Sequence, residues 1–352
     1  MRKEASKVIQ RIRNHPSLAI WCGDNECDHF FLLENISPED NVISRQILPE
    51  MIRRLDPYRP YIPSSPYISP KSREGAPMPE QHLWGPRNYF KSRFYTEHLA
   101  DFIGEIGYHG CPNLSSLKRF LPSEDLWPWD NPSWRAHSVE HWRTRRRHYD
   151  RNELMVKQVH EFFGHVPDDL DTFIRASQFT QAEAKKFFVE QARIKGLGGV
   201  LWWNVIDCWP QISDSVVDYY FSKKLAYHYL WRVQRPVCAM IGEPEGWSVP
   251  LVVDNLTLQE SSGHLRLWDA DTDETLWEGS FTIPANERRE LGHIPVFRGD
   301  QRLFLLSWEI GGECFGNHYL LGNPPFSIEQ YEAWLLKIAA LPRPFDPEAV
   351  GR

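Results

Sequence analysis

Two glutamates, Glu26 and Glu105, stand where an apolar run gives way to turn residues. The first closes "LAIWCGDNE" (Leu18 to Glu26). The second lies in "FIGEIGYHG" (Phe102 to Gly110), a charged side chain between apolar neighbours and glycines. A short apolar run bounded by turn signals reads as a buried strand, and strands buried on both faces belong to parallel sheets. Acidic groups at the carboxyl ends of several such strands mark the catalytic face of a (β/α)8 barrel. Two carboxylates brought together from separate strand ends are what glycoside hydrolysis requires. One is held protonated to give its proton to the leaving oxygen; the other is ionised, to attack the anomeric carbon or to activate water. By themselves two strand-end glutamates define no single reaction, because any barrel enzyme can carry them.

The elements that must position them divide the chain in two. From residue 1 to 235, short apolar strands alternate with helical segments, as in an α/β protein with a parallel sheet. The strand candidates are "LAIWC" (Leu18 to Cys22), "YIPSSP" (Tyr61 to Pro66), "QHLWG" (Gln81 to Gly85), "DFIGEIG" (Asp101 to Gly107) and "GGVLWWN" (Gly198 to Asn204). The N-terminal "MRKEASKVIQRIRN" reads as an amphipathic helix with Val8, Ile9 and Ile12 on one face. The clearest helix follows Thr180: "TQAE" offers a capping box, the apolar stripe runs through Phe187, Phe188 and Ala192, and Gly196 and Gly198 supply the stop. After Pro236 the texture changes to short alternating strands such as "VPLVVDN", "HLRLWDA" and "RLFLLSWEI". That pattern predicts an immunoglobulin-like β-sandwich over 236–325. A helix ("SIEQYEAWLLKI") and tail follow over 326–352.

Composition excludes several functions. At 352 residues the prior is about two domains. Hydrophobic content of 41% and charged content of 25% are ordinary for a globular protein. A formal net charge of -7 argues against nucleic acid as the main partner. The basic run "RTRRRHY" (Arg143 to Tyr149) reads as a solvated helix face. No run of about 18 apolar residues predicts a membrane span, and the N-terminus lacks the features of a signal peptide. A cytoplasmic protein without a membrane partner is therefore expected. The six cysteines are scattered. Cys22, Cys27 and His29 have a spacing that fits no strong zinc pattern. Buried reduced thiols are the expectation, with no metal and no cofactor. Fifteen tryptophans is a high count, and many lie in Pro-rich polar stretches such as "LWPWDNPSW" and "DCWP". Flat aromatic faces in loops suit the apolar C–H faces of sugar rings, although some of these side chains will pack instead.

Longer stretches around the two glutamates carry a family resemblance. "RNHPSLAIWCGDNE" resembles the acid/base segment of glycoside hydrolase family 2, where Arg-Asn-His-Pro-Ser, an apolar strand and Asn-Glu recur. "FIGEIGYHGCPN" resembles the nucleophile segment of the same family. "GGVLWWNVIDCWPQISDSVVDYYFSKKLAYHYL" resembles the last barrel strand and helix of its β-mannosidase-like branch. The resemblance implies a retaining exo-glycosidase of terminal β-linked sugars, β-mannosides foremost, with Glu26 as general acid/base and Glu105 as nucleophile. It gives Asn25 a contact to the sugar 2-hydroxyl and makes Trp203 the floor of the sugar subsite. His82 and Trp84, in "EQHLWG", are expected to line the same pocket. Packing is the other reading for Trp84 and Trp203, and loop bracing for Asp207 and Trp209.

The chain departs from the family pattern at several points. Gly104 stands where Ser is usual before the nucleophile, Asp24 where Asn is frequent, and "WWNVID" differs from the commoner Trp-Gln-x-Asn-Asp. The resemblance also places residue 1 before the fourth barrel strand. The expectation is a partial (β/α)8 barrel over 1–235, lacking its N-terminal third, with an upstream segment or a partner chain completing it. Two alternatives stand beside the β-mannosidase reading. One is a non-catalytic carbohydrate-binding remnant; the other is an exo-β-glucosaminidase-type specificity.

Overall fold

The computed structural model describes residues 1–139, 141–144 and 147–352, with the backbone alone over 141–144 and 147–149. Among the described residues, seven strands fall in the first 203: β1 (Trp21–Cys22), β2 (Tyr61–Ile62), β3 (Glu80–Leu83), β4 (Phe102–Gly107), β5 (His141–Thr144), β6 (Arg147–Asp150) and β7 (Gly199–Trp203). All five strand candidates read from the sequence in this region overlap one of them, and "QHLWG" starts one residue inside β3. The chain forms two compact units, Met1–Leu83 with His98–Ile106 and Leu197–Leu201, and the remainder.

In the first unit, β1 pairs parallel with β2, and the pairing is continued by a parallel bridge between Asn25 and Ser65. β3 pairs parallel with β4, and β7 lies on the other side of β4. The helix Arg2–Ile12 buries Ala5 and Ile9 against Trp21, Met51 and Ile52, with Ile12, Leu18 and Leu48 packed alongside. Val8 does not join this face. It is 51% exposed, because on a 100° wheel Ala5, Ile9 and Ile12 already fill the stripe at i, i+4 and i+7. β1 is anchored at its start by Arg59, whose Nε donates to the Leu18 carbonyl at 2.6 Å while Nη1 pairs with Asp56 at 2.8 Å. Asp56 also accepts from Trp21 Nε1 at 2.9 Å.

The second unit is built on the helix Leu170–Lys195, buried along most of its length. Its N-cap is Asp169, which accepts from the Thr172 amide at 2.9 Å. The capping box read at Thr180 is therefore corrected: Thr180 lies mid-helix and its hydroxyl donates to the Ala176 carbonyl at 2.8 Å. An Asp at the true cap satisfies the orphan amides of the first turn, and the Thr180 hydroxyl then folds back onto the preceding turn. The expected stop holds. Gly196 adopts φ +68°, a left-handed cap that side-chain-bearing residues rarely take. The basic run is also corrected, since it falls on the antiparallel hairpin β5–β6 and not on a helix. Trp142, Thr144 and Tyr149 favour strands, and the charge pattern alone concealed them. Residues 145–146 of that run lie outside the described residues.

Seven antiparallel strands follow: β8 (Val237–Ile241), β9 (Ser248–Asn255), β10 (Ser261–Asp269), β11 (Thr275–Ile283), β12 (Glu287–Pro295), β13 (Arg302–Ile310) and β14 (Glu313–Leu321). They make a three-stranded sheet, β12-β9-β8, and a four-stranded sheet, β11-β10-β13-β14. Alternate residues such as Leu265 and Leu267 of β10 meet Leu251 and Val253 of β9 and Phe304, Leu306 and Trp308 of β13 in one core. The helix Ile328–Ala340 buries Tyr331, Trp334 and Leu335. All six cysteines are free, but only Cys111 and Cys238 are buried; Cys22, Cys208 and Cys314 are exposed. Among the described residues no helix is long and apolar enough to cross a membrane.

Candidate active site

The end of β1 and the middle of β4 bring the two glutamates together. Glu26 follows the Asn25–Ser65 bridge, and its amide donates to the Ser65 carbonyl at 2.8 Å. Its backbone is left-handed, at φ +58°, a conformation that costs a non-glycine residue roughly 1–3 kcal/mol and clusters at functional sites. The helix Cys27–Leu33 that follows is pinned by Asp28. This buried carboxylate accepts from Arg45 at 2.7 Å and from the Ile68 amide at 3.1 Å. The same loop that carries Ser65 is thereby tied to the helix that Glu26 precedes.

Glu105 is aimed by an irregularity in β4. Gln81 pairs with Ile103 but His82 pairs with Glu105, so Gly104 is an extra residue in the ladder. Such a bulge re-aims the next side chain and is frequent beside active sites. His82 lies between the two carboxylates. Its Nδ1 is 2.8 Å from Glu26 Oε1 and 3.5 Å from Glu105 Oε2. On the other side of the ring, Nε2 is 2.9 Å from Ser65 Oγ and 3.5 Å from Glu80 Oε1. Burial disfavours the charged imidazole, yet hydrogen bonds to Glu80 and Glu26 and the charges of Glu105 and Glu80 raise its pKa above the ordinary value.

Glu26, His82 and Glu105 offer three ligand atoms within 4.8 Å of one another. That set has the donor chemistry for a divalent cation. A ring nitrogen hydrogen-bonded to a carboxylate must first lose any proton it carries before it can bind metal. Cys22, Cys27 and His29 form no such group among the described residues.

Of the other residues singled out by sequence, Asn25 is exposed next to Glu26. Trp84 and Trp203 belong to the second unit. There the Arg87 guanidinium covers one face of the Trp84 ring at 4.1 Å from its centroid. Trp203 is 46% exposed, and its carbonyl accepts from Lys185 Nζ. Burial brings that lysine down to about 7 despite the nearby Asp214 charge. Asp207 braces a loop by accepting from Gln211 at 2.6 Å and Ser215 at 2.7 Å. Trp209 stacks on His137. The sequence reading missed Glu80 and Ser65. The available signal was the two-residue spacing of Glu80 and His82, which places both on one face of a strand.

The chain is similar to proteins named as glycosidases. β-Mannosidase B of Thermothelomyces thermophilus is 25% identical over 322 residues, 78% of this chain and 36% of that protein. β-Mannosidase B of Neosartorya fischeri is 27% identical over 274 residues, 71% of this chain and 31% of that protein. Among solved structures, the β-D-mannosidase of Dictyoglomus thermophilum superposes with a TM-score of 0.72 at 26% identity, over 92% of this chain and 40% of that one. The exo-chitosanase of Amycolatopsis orientalis shares the fold, with a TM-score of 0.65 at 17% identity over 91% of this chain and 38% of that one. No protein-family model matches the sequence. The class of protein that the chain resembles in fold and sequence is that of the glycosidases. Within it, the chain is related to the β-mannosidases of glycoside hydrolase family 2. It spans about a third of the length of the curated relatives it matches.

Proposed function

We propose that this chain carries the catalytic carboxylates of a retaining exo-glycosidase acting on terminal β-linked mannosides. Glu105 is the nucleophile and Glu26 the general acid/base. One observation carries the reading: oxygens of Glu26 and Glu105 lie within 4.8 Å of each other. Retaining enzymes hold their pair about 5–5.5 Å apart, whereas inverting enzymes leave room for a water between more distant groups. In the first step Glu105 attacks the anomeric carbon while Glu26 gives its proton to the departing glycosidic oxygen. In the second, Glu26 takes a proton from water, the hydroxide oxygen bonds to the anomeric carbon, and Glu105 leaves as carboxylate. Asn25 would hydrogen-bond the 2-hydroxyl, a contact worth most if it strengthens in the transition state.

The finer architecture belongs to the same proposal. We read β1, β2, β3, β4 and β7 as the fourth to eighth strands of a (β/α)8 barrel within residues 1–235. In this reading a β-sandwich domain covers 236–325 and a C-terminal helix and tail cover 326–352. The parallel pairings β1–β2 and β3–β4 support it.

A panel of aryl β-glycosides tests the function. The β-mannoside should show the highest kcat/KM, and Glu105→Gln should lower it by at least ~10³-fold, as loss of a nucleophile does elsewhere. Higher kcat/KM on the β-galactoside or β-glucuronide would contradict the substrate. Preference for the β-glucosaminide would keep the chemistry and change the sugar. Sugar binding without turnover of any member would mark a non-catalytic remnant.

A further inference from the structure

Glu80 stands two residues before His82 on β3, and its Oε1 accepts from the Ser65 hydroxyl at 2.7 Å. Space for this carboxylate exists because residue 104 is glycine: a Cβ there would overlap Oε1 of Glu80 and lie 3.1 Å from the His82 ring. The family's serine at this position is therefore incompatible with the place that Glu80 occupies. Ser65 has a single hydroxyl proton. With that proton given to Glu80, the 2.9 Å contact between Ser65 Oγ and His82 Nε2 needs its hydrogen on Nε2. Across the ring, the 2.8 Å contact between Nδ1 and Glu26 holds one proton on either partner.

We propose that Glu80, acting through the Ser65 hydroxyl, keeps a proton on Nε2 of His82 and so leaves Nδ1 to share a single proton with Glu26. Glu80 is a positioning residue; it acts on the acid/base through two intermediaries. The proposal rests on the reading of Glu26 as acid/base. When Glu26 gives its proton to the leaving oxygen, Nδ1 is the unprotonated neighbour of the new carboxylate. When Glu26 takes a proton from water, the shared position is refilled, and no other donor is needed. The charged groups facing His82 are Glu80 from its own strand, Glu26 from the segment after β1 and Glu105 from β4. Their combined effect raises the proton affinity of His82 even though burial opposes it.

Nitrogen-15 NMR of histidine-labelled 352-residue chain reads the device without substrate, with His82 assigned by its loss in His82→Gln. In the unsubstituted chain Nε2 should stay protonated between about pH 5 and 8, with Nδ1 the nitrogen that titrates. Glu80→Gln should lower the proton affinity of His82 at least ten-fold and mix its tautomers. Gly104→Ala should act in the same direction, because the new Cβ overlaps the far end of the flexible Glu80 side chain and meets the His82 ring only in a tight contact of 3.1 Å. It also decides the matter should Glu80→Gln fold poorly. In an active preparation, Glu80→Gln should move the alkaline limb of kcat/KM to lower pH with KM within two-fold, a split that a merely structural residue would not give. Unchanged titration and tautomer in both variants would overturn the proposal. Response of His82 without turnover of any aryl β-glycoside would refute the glycosidase reading and leave this proton arrangement standing. Turnover without that response would refute this proposal alone.

Discussion

At the scale of residues, the division of labour between two glutamates predicts different kinetic scars. Glu26→Ala should spare the first step on glycosides with activated phenol leaving groups, which need little protonation. It should cost about 10²–10⁴-fold on unactivated alkyl glycosides, the usual worth of general acid catalysis. Steady-state kinetics on a leaving-group series checks this; equal losses on both classes would remove Glu26 from the acid role. Glu26, His82 and Glu105 were legible in the sequence because each sits in a family-like motif on a strand or in the segment that follows one. Ser65 and Glu80 were not, since both touch His82 and neither has a motif that points at the glutamates. Gly104 was legible only as a missing hydroxyl. The structure shows what replaces it, a bulge residue whose bare Cα makes room for a carboxylate from β3, the neighbouring strand.

At the scale of elements, the helix Leu170–Lys195 carries a buried charge network that predicts acid sensitivity for the second unit. Glu183 accepts from Tyr331 at 2.6 Å and pairs with His318 at 2.9 Å. Burial disfavours its charge, but His318, Lys186 and the Tyr331 hydroxyl bring its pKa down from 4.5 to about 2. A carboxylate whose folded pKa is depressed contributes stability that is present above the unfolded value and lost as pH falls through the folded one. Denaturant unfolding should therefore show Glu183→Gln destabilised by a constant amount above about pH 5. The gap should close toward pH 2, where the protonated glutamate resembles the amide. A gap that does not change with pH would contradict this network. At the helix start, Asp169→Ala should cost about 1 kcal/mol in the same assay; no loss would put the cap elsewhere. The sequence located this helix through its apolar stripe and its terminal glycine. It misplaced the start, because the first turns are held by Asp169 and continue without a break through Thr180.

At the scale of the whole molecule, the β-sandwich was the most legible part, since inward Leu265 and Leu267 alternate with outward Arg266 on a strand of period two. Leu267, fully buried in that core, should cost about 2–5 kcal/mol on replacement by alanine, measured by urea unfolding; a loss under about 1 kcal/mol would mean a core that relaxes freely. The parallel strands were legible in place but not in partner, because an apolar pentapeptide does not record which neighbour it pairs with. The central claim is that Glu105 forms a bond to the sugar. Its most direct test is trapping with a 2-deoxy-2-fluoro-β-mannosyl fluoride, which slows the second step more than the first, followed by peptide mass spectrometry. The account predicts one equivalent of fluorosugar, carried on the peptide containing Glu105 and absent from Glu105→Gln. Label on a different carboxylate, or turnover of β-mannoside that releases the inverted sugar, would contradict it.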